Sequence, residues 1–123
     1  MKIIRKETAP QYQRDNIRSF LLIAESTVGA KSLTTSLVEM APGGTQKPHH
    51  HETEQCYTIL QGRGTMAVDG EEAPVTAGDT IFIPANHTHS LHNPGPETLT
   101  YLSAGSPVFG AENEKKLWPL NLT

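Results

Sequence analysis

The sequence predicts an all-β protein, a single antiparallel β-barrel in which residues 1–123 form one domain. Two observations support this prediction. Short apolar segments of strand length recur at roughly ten-residue spacing, and nine prolines and ten glycines are available to separate them. Turn-forming residues at this density leave little room for long helices, whereas many short strands are typical of a sandwich or barrel.

Composition narrows the classes of function. A chain of 123 residues with a formal net charge of -3 can bury a real core. Its Lys and Arg residues are scattered, so no surface for nucleic acid is expected. The longest apolar run, Phe20 to Ala24, is far too short for a membrane span or a signal peptide. The lone Cys56 cannot form an internal disulfide, which favours the reducing cytoplasm as the location.

The first part of the chain predicts three strands. A short edge strand is expected near Lys2–Arg5, followed by irregular chain, and the apolar residues of Ser19–Ala24 predict the second strand. Residues Thr27–Lys31 are predicted to form a loop. Leu33–Met40 is rich in β-forming residues and predicts the third strand, which ends at the turn signal Pro42-Gly43-Gly44.

The rest of the chain continues in short strands joined by tight turns. Asp69-Gly70 is a hairpin signal, because both residues tolerate positive φ. The predicted strands are Cys56–Leu60, Thr65–Val68, Ala73–Thr76, Thr80–Ile83, His87–Leu91 and Leu99–Ser103. After Pro107 the alternation is lost, and the apolar residues there are candidates for docking on a sheet. These residues are Phe109, Leu117, Trp118, Leu120 and Leu122.

Five of the six histidines lie in two separate stretches of the sequence. The first stretch holds His49, His50 and His51, and the second holds His87 and His89. Neutral imidazole is the commonest protein ligand for transition metals, so this clustering indicates a metal site. His49 and His51 are two residues apart, and on an extended segment both project to one face while His50 points to the other. A third ligand has to come from elsewhere in the chain, and His89 is the best-placed candidate.

The same alternation continues beyond the first stretch. It places Gln55 and Tyr57 on the inner face and directs Glu54 away from it, unless a bulge exchanges the two neighbours. Tyr57 is a weak candidate for a catalytic proton donor, and a packed core aromatic is the alternative. The three remaining histidines, His50, His87 and His92, are interpreted as exposed residues, although His87 could also face the mouth of the site.

The positions of these residues resemble the two motifs of the cupins, which are small jelly-roll barrels. The first motif, at about residues 43–62, is matched by Gly43, His49, His51, Gln55 and Gly62. The second, at about residues 78–93, is matched by Gly78, Pro84, His89 and Asn93, with Asn86 where glycine is usual. The resemblance implies a double-stranded β-helix, the jelly-roll barrel of the cupins.

The resemblance also implies a ligand set. His49, His51, Gln55 and His89 would bind a divalent transition metal, one of Fe, Mn, Ni or Zn. Gln55 stands where cupins usually have glutamate, and a neutral amide oxygen is a weaker donor that leaves the charge of the ion uncompensated. The alternative role for Gln55 is a hydrogen bond to a ligand or a water rather than to the ion.

A metal-dependent enzyme for a compact, oxygen-rich anionic small molecule is the function that the resemblance implies. Dioxygenase- and decarboxylase-like chemistry are favoured, although lyases and isomerases also occur on similar cupins. The alternatives are a module that binds or senses a small ligand without turnover, and a storage or scaffold protein. The stretch before Leu33 has neither the length nor the basic helix of a DNA-binding domain.

A homodimer is also expected, because cupins of this size are commonly dimers. The contact could come from Lys2–Arg5 or from the outer sheet face that carries Cys56, Thr58 and Leu60.

Overall fold

The computed structural model describes residues 1–117, which form ten β-strands and two short helices, with a single 3₁₀ turn at Lys6–Thr8. The strands are β1 (Gln11–Arg14), β2 (Ile17–Leu21), β3 (Thr34–Met40), β4 (Thr45–His49), β5 (Glu54–Gln61), β6 (Arg63–Val68), β7 (Glu71–Thr76), β8 (Thr80–Ile83), β9 (His89–His92) and β10 (Leu99–Ser106). The helices are α1 (Glu25–Val28) and α2 (Ala111–Leu117). Neither helix has the length or apolarity needed to cross a membrane.

The strands form two antiparallel sheets. A six-stranded sheet has the order β1-β2-β3-β10-β5-β8, and a four-stranded sheet has the order β4-β9-β6-β7. One hydrophobic cluster draws on both of them, with Val38 and Ile59 from the first sheet and Met66 and Leu91 from the second. The sheets therefore pack face to face across a shared core, which confirms the predicted all-β class.

The interior has an apolar end and a polar end. Along β3 and β10 every second residue is buried, as expected for strands with one face toward a core. At one end of these strands the buried positions are apolar and include Met40 and Leu99. At the other end they are polar and include Ser36 and Ser103. The change along the same inner face leaves a polar pocket above an apolar floor.

The N-terminal prediction was wrong. Residues Lys2–Arg5 form no strand, and the edge of the six-stranded sheet is instead the hairpin of β1 and β2, which turns at Asp15 with a φ of 52°. Its first strand, Gln11–Arg14, has half-buried and exposed residues and carries little apolar alternation for the sequence to show. The second strand also begins earlier than predicted, at Ile17, and ends at Leu21.

Other boundaries differ in smaller ways. The predicted loop Thr27–Lys31 overlaps α1, which ends at Gly29 in the left-handed conformation. Thr45–His49 forms a strand that was not predicted, since it follows directly after the turn signal Pro42-Gly43-Gly44. Strand β9 begins at His89 rather than at His87. Thr80–Ile83 has the predicted bounds.

The C-terminal segment is partly described. Phe109 is buried and packs with Leu21 and Ala24, so the docking predicted for it is confirmed, and α2 follows it. The side chain of Leu117 and all of Trp118, Leu120 and Leu122 lie outside the described residues.

Asn93 joins three segments at the apolar end and is fully buried. Its Nδ2 donates to the carbonyls of Met40 and Glu97, both at 2.8 Å, and its Oδ1 accepts from the N–H of Gly95. The Asn of the second motif is therefore a structural residue that fixes the turn between β9 and β10 to the end of β3.

Replacement of Asn93 by alanine is expected to lower the free energy of unfolding by about 3 kcal/mol, because it leaves buried backbone groups without partners. Urea denaturation followed by circular dichroism measures the change. Thr98→Ala, an exposed change in the same loop, is the control and should stay within about 0.5 kcal/mol. An Asn93→Ala variant as stable as this control would contradict the structural role.

Candidate metal centre

Three histidines converge at the polar end of the interior. The nearest ligand nitrogens of His49, His51 and His89 all lie within 4.8 Å of one another. The ring of His49 is centred 4.8 Å from that of His51 and 4.2 Å from that of His89. The structure therefore brings together the three histidines that the sequence singled out, and imidazole nitrogens at this spacing can bind one ion.

Strand pairing explains the convergence. His49 is the last residue of β4 and lies directly opposite His89, the first residue of β9. His51 comes two residues after β4 has ended, and its carbonyl accepts a 2.6 Å hydrogen bond from the N–H of Asn86. Asn86, which stands where the motif usually has glycine, adopts the left-handed conformation with a φ of 65°, a region that asparagine tolerates.

Backbone carbonyls set the tautomers of two of the rings. Nδ1 of His49 lies 2.8 Å from the carbonyl oxygen of Lys47, and Nδ1 of His89 lies 3.0 Å from that of His87. A carbonyl only accepts, so each Nδ1 carries the proton and donates it. Nε2 of both rings is left with its lone pair exposed to the interior, which is the form that binds a metal ion.

Gln55 lies on the wall of the same pocket and is 5% exposed. Its Nε2 donates to Ser103 Oγ at 3.2 Å, which directs the amide oxygen away from Ser103. Among the described residues, Gln55 Oε1 and His89 Nε2 are the buried side-chain atoms without a hydrogen-bond partner. Two orphaned acceptors of this kind fit a cation, which has no donor requirement of its own.

Gly105 makes room for Gln55. It pairs with Gln55 across β10 and β5, and a Cβ at this position would lie 2.6 Å from Thr53 Cγ2 and 3.2 Å from Gln55 Cγ. A larger residue would therefore push the amide from its place. Glu54 is exposed on the opposite face, so no exchange of the two neighbours takes place.

The histidines are held in the neutral state. Burial lowers the pKa of His51 to about 4, and repulsion from His49 and His89 adds to this effect. Burial likewise lowers the pKa of His89 to about 4, against the opposing hydrogen bond to His87. Burial also lowers the pKa of His49. Neutral rings keep their lone pairs at physiological pH, so the cluster does not need to lose protons to bind a cation.

The pH dependence of stability follows from these shifts. In the unfolded chain the histidines regain their ordinary pKa of 6.5, so between pH 6.5 and about 4 the unfolded state binds more protons than the folded state. We expect the melting temperature of the metal-free protein to fall as the pH drops through this window, with an uptake of roughly two protons on unfolding.

Calorimetry at several pH values from 7.5 to 4.5 measures this dependence. His51→Gln should show a shallower dependence, because one of the depressed groups is gone, and the exposed His92→Gln should behave like the natural protein. A melting temperature that stays constant between pH 7 and pH 5 would contradict the prediction.

A cavity of about 490 Å³ opens above the histidines. Its lining combines three kinds of residue: His49 and His51 with Gln55, polar residues of the inner sheet face such as Ser36 and Ser103, and aromatic rings including Phe109. Arg14 and Lys47 also line it, and Asp15 contributes one acidic group. The volume suits a compact molecule rather than a polymer.

The weak candidate Tyr57 lies deeper. It is buried, stacks on Tyr101 with ring centroids 4.3 Å apart, and its hydroxyl donates to Gln46 Oε1 at 3.3 Å. Burial raises the pKa of Tyr57 to about 12, so the hydroxyl keeps its proton. The structure therefore places it as a core aromatic at the floor of the cavity.

The other three histidines are on the surface or the rim. His50 and His92 are exposed, as expected, and His92 Nδ1 lies 2.7 Å from Thr45 Oγ1. His87 does not point into the cluster, because its Nδ1 pairs with the carboxylate of Asp69 in the β6–β7 turn.

Sequence reasoning missed the part of the site that comes from the ends of the chain. Tyr12 and Arg14 from β1 and Phe109 after β10 all line the cavity. Ser36 and Ser103 could have been predicted to line the site. Both are polar residues at inner positions of strands in which every second residue is buried. No local pattern indicates that Phe109 returns to this place.

The fold and the site together define the class of this protein. It is a small two-sheet β-protein with three histidines at the open end of its interior. Residues 36–105 match the family model described as the cupin domain. The chain belongs to the cupin family.

Relatives and solved structures agree with this assignment. An uncharacterized protein of Methanocaldococcus jannaschii is 32% identical over 121 residues, covering 95% of this chain and 97% of its own. The oxalate-binding protein of Thermotoga maritima is 30% identical over 83 residues, covering 67% and 69%. The crystal structure of a predicted oxalate decarboxylase from Thermotoga maritima superposes with a TM-score of 0.76 at 22% identity, over 87% of this chain and 100% of that one.

Proposed function

We propose that this cupin is a metal-dependent enzyme for a compact, oxygen-rich anion, with dioxygenase- or decarboxylase-like chemistry. The observation that supports the proposal most directly is the three-histidine cluster, in which His89 Nε2 is a buried acceptor without a partner, together with a second such acceptor, Gln55 Oε1, in the wall of the same cavity. Buried acceptors without a donor are satisfied by a cation.

The donor set fits a divalent transition metal, namely Fe, Mn, Ni or Zn. His49, His51 and His89 would supply nitrogen and Gln55 an amide oxygen, and imidazole is a ligand that all four ions accept. An ion bound there would supply Lewis-acid or redox chemistry to substrate oxygens. Because all four protein ligands are neutral, the charge of the ion is left for an anionic substrate to neutralise.

The residues around the cavity support an anionic substrate. Arg14 and Lys47 line the same cavity as His49 and His51, against the single carboxylate of Asp15. Arg14 lies over the ring of Tyr12, with its guanidinium carbon 5.3 Å from the ring centre, which orders an otherwise mobile side chain. Two cationic side chains attract an anion and favour its carboxylate or enolate end.

Among the described residues that line the cavity, Asp15 carries the single carboxylate. Gln55 occupies the inner position and Glu54 is exposed, while Tyr57 keeps its proton in a hydrogen bond to Gln46. The inner position where cupins usually have glutamate therefore offers no carboxylate for proton transfer, which favours reactions that break a bond at the metal over isomerisations by an acid and a base.

A binding module without turnover is the second candidate. It is favoured by the relative in Thermotoga maritima, which is named for oxalate binding rather than for a reaction and is 30% identical to this chain. A cation with neutral ligands would also hold a dicarboxylate tightly.

Metal analysis followed by a turnover assay tests the proposal. The protein is reconstituted with each of Fe(II), Mn(II), Ni(II) and Zn(II), and the bound metal is counted by mass spectrometry. Loaded protein is then incubated with oxalate, an α-keto acid and a β-diketone, while O₂ uptake and CO₂ release are recorded. Turnover that disappears in His89→Ala and persists in His50→Ala supports the enzyme. Tight binding without product supports the module, and protein that takes up no metal rules out both.

A homodimer remains part of the proposal. Of the two predicted contacts, the outer face of β5 and β8 is favoured, since Leu60 and Phe82 are 52% and 59% exposed there and Cys56 pairs with Phe82. In the other predicted contact, Lys2–Arg5, Lys2 Nζ donates to the carbonyl of Val28 in its own chain at 2.9 Å. Light scattering that returns the monomer mass at micromolar concentration would contradict the dimer.

A further inference from the structure

We propose that Phe109 is a specificity-determining residue that closes one side of the histidine cluster, and that a pair of glutamates holds it there. The inference on ligand size rests on the proposed function, because it concerns the ligand of the same site. The covering of His51 by Phe109 is a property of the chain itself.

Phe109 sits directly against the cluster. Its ring is centred 5.1 Å from that of His51 at an angle of 64°, an edge-to-face contact. It is 9% exposed and lines the cavity, while its other side packs with Leu21 and Ala24. The ring is therefore part of the cavity wall on the side of His51, where a ligand larger than the cavity would have to displace it.

The backbone on both sides of Phe109 is tied to the sheets. The N–H of Phe109 donates to Thr34 Oγ1 at 3.2 Å, and the carbonyl of Pro107 accepts from Thr53 Oγ1 at 3.2 Å. Both hydroxyls come from buried threonines at the polar end of the interior. These bonds fix where the segment crosses the sheets, but they do not fix α2, which follows it.

Two glutamates fix α2. Glu114 in α2 is 1% exposed, and its carboxylate oxygens accept from the backbone N–H groups of Glu25 and Ser26, at 3.1 and 3.2 Å, at the start of α1. In return, Glu25 Oε2 accepts from the N–H of Ala111 at 2.8 Å, at the start of α2. Each helix therefore supplies the carboxylate that satisfies the free N–H groups of the other. We call this reciprocal arrangement the glutamate clasp.

The glutamate clasp explains how the short helix α2, which follows Phe109, stays in place. Neither helix is long enough to be stable alone, so each depends on the other. Since α2 begins two residues after Phe109, loss of the clasp would loosen the chain on the C-terminal side of the ring and expose His51 more often. Glu114 is in this sense a positioning residue, acting through Phe109 and not on the ligand.

Chemical modification of the histidines in the metal-free protein tests whether Phe109 covers His51. Diethylpyrocarbonate is added to the natural protein, Phe109→Ala and Phe109→Leu, and the rate at each histidine is measured by peptide mass spectrometry. His51 is expected to react about ten times faster in Phe109→Ala and only slightly faster in Phe109→Leu, which keeps most of the side-chain volume. His50 and His92 are exposed and serve as internal standards for the reagent, while an unchanged circular dichroism spectrum shows that a variant is folded. An unchanged ratio of His51 to His50 overturns the proposal.

The glutamate clasp is tested by the same ratio, the modification rate of His51 divided by that of His50. Glu114→Ala should raise it, and Glu114→Gln, which keeps one acceptor oxygen, should fall between Glu114→Ala and the natural protein. Glu112→Gln is the matched control, an exposed glutamate on the same helix, and should change nothing. A Glu114→Ala ratio equal to that of this control overturns the role of the clasp.

Ligand size is tested on Co(II)-loaded protein, whose visible spectrum reports what binds at the ion. Oxalate, malonate, succinate and phthalate are titrated into the natural protein and into Phe109→Ala. The variant is expected to gain at least tenfold in affinity for phthalate relative to oxalate. Equal relative affinities in the two proteins overturn the role in specificity. If the natural protein binds none of the four, the proposed function fails and the role in specificity fails with it, while the modification ratio still decides whether Phe109 covers His51.

Discussion

Replacement of His89 by alanine is expected to lower the affinity for a divalent transition metal by at least about 100-fold. His89 is 1% exposed, its Nε2 is one of the orphaned buried acceptors, and its ring lies 4.2 Å from that of His49. Two imidazoles and an amide would remain, which is too few for a closed site. Competition against a coloured chelator measures the dissociation constant.

The control separates loss of a ligand from loss of the fold. His50→Ala removes an exposed imidazole from the same histidine run and should leave the dissociation constant unchanged. His89→Gln retains more of the buried volume than alanine, and it should also bind metal weakly while keeping the circular dichroism spectrum of the natural protein. A His89→Ala variant that is folded and retains the natural metal affinity would exclude the three-histidine centre.

Replacement of Gln55 by glutamate is expected to have opposite effects on the affinity for the metal and on the affinity for a dicarboxylate. A carboxylate compensates part of the charge of the ion, so metal affinity should rise by about 10- to 100-fold, while affinity for a dicarboxylate such as oxalate should fall about tenfold. The side chain is 5% exposed, and Ser103 Oγ at 3.2 Å can reorient its hydroxyl to donate to a carboxylate. Calorimetric titration with metal, and then with oxalate, measures both.

The metal-free Gln55→Glu protein should also be less stable, because it buries a carboxylate without a cation. Glu54→Gln, on the exposed side of the same strand, is the matched control and should change neither affinity. If Gln55→Glu left the metal affinity unchanged, Gln55 would not be a direct ligand, and the alternative of a hydrogen bond to a ligand or water would replace it.

The central strands were predictable because their signal is local. Thr34–Met40 buries every second residue, and that alternation is visible in the order of β-forming and turn-forming residues. The first hairpin was not predictable in the same way. Residues Gln11–Arg14 have no fully buried position, so the strand exists because β2 offers it hydrogen bonds and not because its side chains need a core.

The site followed a similar division. The spacing of His49 and His51 indicated a shared face, and the motif spacing pointed to His89 as their partner. Phe109 and Arg14 reach the same cavity from opposite ends of the chain, and no periodicity connects them to the histidines. Glu114 is a comparable case, since a glutamate in a polar tail is usually exposed, whereas this one is buried against α1.

The sequence by itself determined the all-β class, the inner face of the central strands, and the residues that meet at the three-histidine cluster. These features depend on alternation and on fixed spacing, which the order of residues records directly. The tertiary structure alone decided which histidine nitrogens are free, that Gln55 Oε1 lacks a partner, and that Phe109 covers His51. Those features depend on contacts between residues far apart in the chain, whose geometry is fixed only when the two sheets and the two helices have packed.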